Sequence, residues 1–218
     1  MQIGIHTNWI NNAPFVDNNG LVGFYGDELL LSGDTPPTLN DAEVFLSNHL
    51  LLNTSLHIQN NLNFIDGDID SPLDQQITYL SFQQNAFFNG ESDDAKITGF
   101  AAIEDKDTFS FPVGDEDQLR PLIINSDGTN ELAICAYLFE DPSNPISISE
   151  SYDVTQTVND IGTVSNTEFW ILQTNITSSV TLSWNSRSNL GAIANVVEDL
   201  ILVGWSKSAN QWIAIGNT

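Results

Sequence analysis

Asp66, Asp68 and Asp70 alternate along Asp66-Gly67-Asp68-Ile69-Asp70, and Asp74 follows in the same stretch. A hard cation such as Ca²⁺ takes an oxygen-rich shell, so these four carboxylates are candidate calcium ligands. The spacing is not that of an EF-hand: Ser71 stands where that loop needs Gly, and Ile77 where it needs Glu. Further acidic loops are Glu91-Ser92-Asp93-Asp94, Glu104-Asp105-Lys106-Asp107 and Asp115-Glu116-Asp117. The competing reading is a solvated acidic surface, and at this level both stand. Trp205 and Trp212 flank a hairpin and form a candidate glycan platform, or else pair across it as core. Trp184 alternates with Val180 and Leu182 and is expected in the core.

Motifs for catalysis are absent. The chain has no Gly-x-Ser-x-Gly, His-Glu-x-x-His, Gly-x-x-x-x-Gly-Lys or Gly-x-Gly-x-x-Gly sequence. His6, His49 and His57 all lie in the first third, and a solvated or core-edge role suits them better than a catalytic one. Carboxylate pairs for glycoside hydrolysis carry no weight among 29 acidic residues. The chain therefore reads as a non-enzyme. Its single cysteine, Cys135, sits in Leu132-Ala133-Ile134-Cys135-Ala136-Tyr137-Leu138 and reads as a buried structural thiol.

The charge balance excludes further classes. Against 29 acids stand five basic residues, giving a net charge of −24 over 218 residues. Nucleic-acid binding and attachment to an anionic membrane both require basic patches, and five dispersed cations supply none. With 41% hydrophobic and 10% aromatic residues the chain can bury a core. Met1–His6 lacks the basic start and apolar core of a secretory leader, so the chain reads as cytosolic or as a mature or excised segment.

The elements that must position these residues are strands. Val44–Gly67 divides into four hexads whose first residues are Val44, Leu50, Leu56 and Leu62 and whose third are Leu46, Leu52, Ile58 and Phe64. Such alternation marks short half-buried strands, and polar corners at a fixed period mark coils that stack into a β-solenoid, the alternative being an ordinary meander of short antiparallel hairpins. After Gly114 the strands become longer and more widely spaced, at Leu122–Asn125, Leu132–Phe139, Ile146–Ser149, Thr167–Leu172, Val180–Trp184, Leu200–Trp205 and Trp212–Ile215. The expected fold is all-β: a short-strand β-solenoid-like domain over 1–115 and an Ig-like β-sandwich over 116–218.

The joint has its own signature. Phe109 and Phe111 share a strand face, Pro112 ends ladder pairing, Gly114 allows a tight turn, and Arg120 is positioned for a bidentate carboxylate pair at the domain joint or, alternatively, lies alone on the surface. Together with Lys96-Ile97-Thr98-Gly99-Phe100, Arg120-Pro121-Leu122 and Val203-Gly204-Trp205…Gln211-Trp212-Ile213-Ala214-Ile215-Gly216, this pattern resembles a β-rich module of large secreted surface proteins of gliding Bacteroidota, similar to type IX secretion cargo and gliding-motility-associated adhesins. The resemblance covers most of the chain and carries no catalytic residues. It implies a non-catalytic, extracellular structural or adhesive segment of a cell-surface protein or filament. Its implied partners are neighbouring domains or identical subunits. The alternative is a calcium-dependent carbohydrate-binding module, with glycans as ligand.

Overall fold

The computed structural model describes residues 2–15 and 19–216. It is 48% strand and 4% helical, with a β-solenoid of about six turns and additional sheets. The chain gathers into two compact units, Met1–Tyr137 with Trp170–Ser183, and Leu138–Phe169 with Trp184–Thr218.

The first unit is a three-sided parallel solenoid. One side stacks β1 (Gln2–Ile5), β3 (Leu21–Gly26), the middle of β5 (Thr38–Leu52), the middle of β6 (Leu56–Asp70) and β8 (Phe87–Asn89). The second side stacks β2 (Trp9–Ile10), β4 (Leu29–Ser32), the ends of β5 and β6, β9 (Ile97–Thr98) and β12 (Val113–Gly114). On the third lie the starts of β5 and β6, then β7 (Leu80–Phe82) and β10 (Ala101–Ile103). β5 and β6 are long because each runs through all three sides, with the register between them shifting at the bends.

The hexad reading holds residue by residue. Val44, Leu50, Leu56 and Leu62 are 0% exposed, and Leu46, Leu52, Ile58 and Phe64 at most 2%. Register converts this pattern into columns. Leu29, Leu50, Ile69, Ile97 and Val113 stack on the second side, and Leu39, Ile58, Phe82 and Ile103 on the third. Each coil alone would leave this apolar row open to water, and stacking buries it on both flanks. The corners need glycine. Gly67 has φ +86° and lies against the Leu46 and Asn48 carbonyls, where a side chain would collide.

Strands expected in a seven-strand sandwich are distributed differently. β14 (Ala133–Leu138) pairs antiparallel with β10 and continues to β15 (Phe169–Gln173), closing the third side. β13 (Leu122–Asn130) lies between β11 (Lys106–Phe111) and β16 (Ser178–Leu182) in a three-stranded antiparallel sheet. Ile146–Ser149 forms no strand. The reason is edge satisfaction: β10 offers a row of backbone groups on the side away from β7, and the fully buried β14 takes it. The expected boundary between residues 115 and 116 thus falls between β12 and β13, both of which belong to the first unit.

Cys135 lies in β14 and is fully buried, which pushes its thiol pKa up.

The second unit is built on the hairpin of β17 (Val203–Ser206) and β18 (Gln211–Ala214), with short 3-10 turns at Ser186–Ser188, Leu190–Ala192 and Val197–Asp199. Its core joins Ile161, Val164 and Trp212.

Candidate binding surface

The outward residues of the first solenoid side form rows that no sequence period announced. Gly4, Gly23, Glu43, Asn63 and Asn89 share one row of the stack. Gln2, Leu21, Asp41, Asn61 and Phe87 share another. Tyr25 pairs with Phe45 in the next coil. Tyr25 lies flat across its own strand: a Cβ on Gly23 would collide with its hydroxyl, and its ring stands 5.3 Å from that of His6. Its hydroxyl donates to Glu43, and this bond raises the tyrosine pKa.

Phe45, its register partner, is 52% exposed, and elsewhere on these coils Ile65 is 47% and Phe87 52% exposed. Amides and carboxylates fill the spaces between them. Asn89 Nδ2 donates to Asn61 Oδ1 at 3.0 Å, and Asn60 Nδ2 to Asp41 Oδ1. Neighbouring coils are about 4.8 Å apart, so each row brings side chains of successive coils side by side. A ring face stacks on the C–H face of a sugar while amides and carboxylates meet its hydroxyls.

The candidate calcium residues lie on strand and corner. Asp66 and Asp74 are exposed. Asp68 is buried at a corner, where Lys96 Nζ donates to both its oxygens at 2.9 and 3.1 Å. Asp70 accepts from Thr98 Oγ1 and has His49 Nδ1 3.4 Å away. Burial raises the Asp70 pKa to about 6 despite the nearby histidine. Among the described residues no group of three or more His, Cys, Asp or Glu side chains is arranged to hold a metal ion.

On the third side His57, Ser81 and Glu104 meet. His57 Nδ1 stands 2.6 Å from Ser81 Oγ and 2.9 Å from Glu104 Oε1. A nucleophilic relay would need hydroxyl and carboxylate on opposite ring nitrogens; here both meet the same one. The hydrogen bond from His57, first among its causes, holds the Glu104 carboxyl below its ordinary pKa. The cluster ties three successive coils together.

Trp205 and Trp212 face each other across the hairpin, with ring centroids 5.7 Å apart and planes at 74°. Tyr152 packs against both, and Trp212 is 7% exposed. They build the core of the second unit, the second of the two readings open at the sequence level. Trp184, expected inside, is 56% exposed: β16 ends at Leu182, so the alternation that packs Val180 and Leu182 against the core does not extend to it.

At the joint Phe109 and Phe111 are buried, their rings 5.3 Å apart. Pro112 separates β11 from β12, and its carbonyl accepts from Ile97 N–H. Gly114 serves close approach to the Gln118 carbonyl and the Lys96 stem. Arg120 is 2% exposed, so the lone surface arginine is excluded. Its guanidinium lies 5.6 Å from the Tyr137 and Trp170 ring centroids and donates to the Ser183 carbonyl at 2.9 Å.

No protein-family model, curated protein or solved structure matches this chain. Among the described residues no helix is long and apolar enough to cross a membrane.

Proposed function

We propose that the chain is a non-catalytic structural and adhesive segment of an extracellular surface protein or filament, and that it adheres through the outward strip of the first solenoid side to a neutral glycan. The observation that carries this reading is the outward face of the first side, where Tyr25 and Phe45 are register partners, Phe45, Ile65 and Phe87 are each about half exposed, and Asp41, Glu43, Asn61 and Asn63 lie in the adjoining rows. Rigid rings bind at small entropic cost. The ligand is neutral because a molecule of net charge −24 with two carboxylates in the strip repels anionic polymers.

The likeness in sequence to secreted surface modules of gliding Bacteroidota supports an extracellular setting and a role in adhesion or gliding motility. Within such a protein the stacked coils act as a spacer, and neighbouring domains or identical subunits are the partners. The His57 arrangement, with both candidate relay partners on one nitrogen, supports the non-catalytic part.

A glycan array carrying neutral, amino and anionic polysaccharides tests the reading. Binding to neutral glycans is expected, with a loss of at least tenfold in Phe45→Ala and no loss in Lys207→Ala. Equal binding by wild type and Phe45→Ala would overturn it. Binding that disappears with chelator would favour the calcium-dependent module.

A further inference from the structure

Lys96 and Asp68 meet inside the solenoid wall. The lysine side chain is completely buried and the aspartate side chain is 7% exposed. Nζ stands 3.1 Å from Oδ1 and 2.9 Å from Oδ2, so the carboxyl carbon between those oxygens is held against the nitrogen. The Asp93 and Glu116 carbonyls accept from the same Nζ, and the Lys96 backbone N–H donates to Asp68 Oδ1 at 3.1 Å. Asp68 lies in β6 and Lys96 directly precedes β9, and these strands pair in adjacent coils. The Ile69 N–H donates to the Lys96 carbonyl at 2.9 Å, which fixes the two backbones against each other.

A primary amine and a carboxyl group are the reactants of an amide, and bulk water normally keeps them apart as solvated ions. Three features here favour their condensation. Fixed contact replaces a bimolecular encounter. The buried ion pair carries a desolvation cost that a neutral amide does not. Hydrolysis of the product requires water to return to a closed site.

We propose that Lys96 Nζ and Asp68 Cγ condense to an amide that cross-links two successive coils. A proton passes from the ammonium to the carboxylate, leaving a free amine and a carboxylic acid. The carboxyl turns about its Cβ–Cγ bond, a soft torsion, and the amine lone pair attacks Cγ. Negative charge develops on Oδ1, which the Lys96 backbone N–H already meets. The Cγ–Oδ2 bond then breaks, and Oδ2 leaves as water with two of the three ammonium hydrogens. One ammonium and one carboxylate become one amide and one water, with no change in net charge and no oxidant or reductant. The ion-paired form predominates, so the step is slow, and freshly purified chain carries mainly the ion pair. Once formed, the bond joins residues 28 positions apart and restricts the unfolded chain as a disulfide does. This inference is independent of glycan binding, which uses outward side chains.

Intact-mass spectrometry of the full chain, at purification and over several days at neutral pH, tests it. A species lighter by one water should accumulate, and tandem mass spectrometry of its digest should find a branched peptide joining Asp68 to Lys96. The lighter species should unfold at higher urea concentration than the unlinked chain. Lys96→Arg keeps the charge but has no nucleophilic amine, and it should hold its full mass. Asp68→Asn should expel ammonia in place of water, which the mass distinguishes. A wild-type chain that keeps its full mass throughout would overturn the proposal. So would a water loss that persists in Lys96→Arg or maps to Asp66-Gly67 or Asp127-Gly128, where an aspartate condenses instead with the following glycine nitrogen.

Discussion

Lys96 Nζ stands 2.9 Å from Asp68 Oδ2, and the lysine side chain is completely buried. The ammonium also donates to the Asp93 carbonyl at 2.6 Å and the Glu116 carbonyl at 3.4 Å. A corner of one coil, a strand of the next and two covering loops are thus tied to a single nitrogen. Removing either partner leaves a buried charge uncompensated, which costs about 3–5 kcal/mol. Lys96→Met and Asp68→Leu should each destabilise the protein by that order, measured by urea unfolding. The double variant should recover much of the loss. Equal losses from the single and double variants would show that packing, and not charge, holds the corner.

Stability should pass through a maximum on the acid side of neutrality. Burial raises the Asp70 pKa to about 6 from an ordinary 3.8. Its contribution is fully present below the ordinary value and is lost as pH rises through about 6. Glu104 is shifted the other way, below its ordinary 4.5, chiefly by the His57 hydrogen bond. Its contribution is present above 4.5 and is lost as pH falls through the lowered value. The pH dependence of stability should therefore be flattened between about pH 4 and 6 by Asp70→Asn and below about pH 4.5 by Glu104→Gln. At pH 7 Asp70→Asn should stabilise by on the order of 1 kcal/mol, part of the full linkage being screened at the surface.

Arg120 tests planarity against charge. Lysine keeps the charge but has no plane to lay against the Tyr137 and Trp170 rings. Arg120→Lys should cost roughly 1–2 kcal/mol and Arg120→Ala more, through lost ring contacts as well as lost hydrogen bonds. Thermal unfolding measures both, and an unchanged Arg120→Lys would refute the stacking role.

Self-repulsion predicts a salt effect. With 29 acids against five bases, raising the ionic strength from about 0.01 M to 0.5 M shortens the screening length several-fold and should raise the melting temperature. Adding millimolar Ca²⁺ at constant ionic strength separates screening from site binding. A rise with Ca²⁺ alone would indicate a bound cation among the acidic residues.

The solenoid was legible because its signal is local. The apolar positions of the hexads from Val44 to Phe64 depend only on alternation and corners, and all eight are buried. The fate of later strands was not local. Nothing within Ala133–Leu138 says that it will close the edge of β10, since that choice depends on which edge remains open. The same limit hid the candidate surface. Tyr25, Phe45 and Asn63 are far apart in sequence and meet only through register. Lys96 looked like one of a few scattered cations, and only the stacking of one coil on the next puts it on Asp68. Trp205 and Trp212 were visible as a pair, but Tyr152, which packs on both, comes from a segment without a regular pattern.

The central claim is that the outward strip of the first solenoid side binds a neutral glycan. Amide chemical shifts, recorded by NMR while a neutral oligosaccharide selected from the array is added, test it most directly. Perturbations should concentrate at Gly23, Tyr25, Glu43, Phe45, Asn61 and Asn63, and should disappear in Phe45→Ala. Perturbations confined to Tyr152, Trp205 and Trp212, or none at millimolar oligosaccharide, would contradict it.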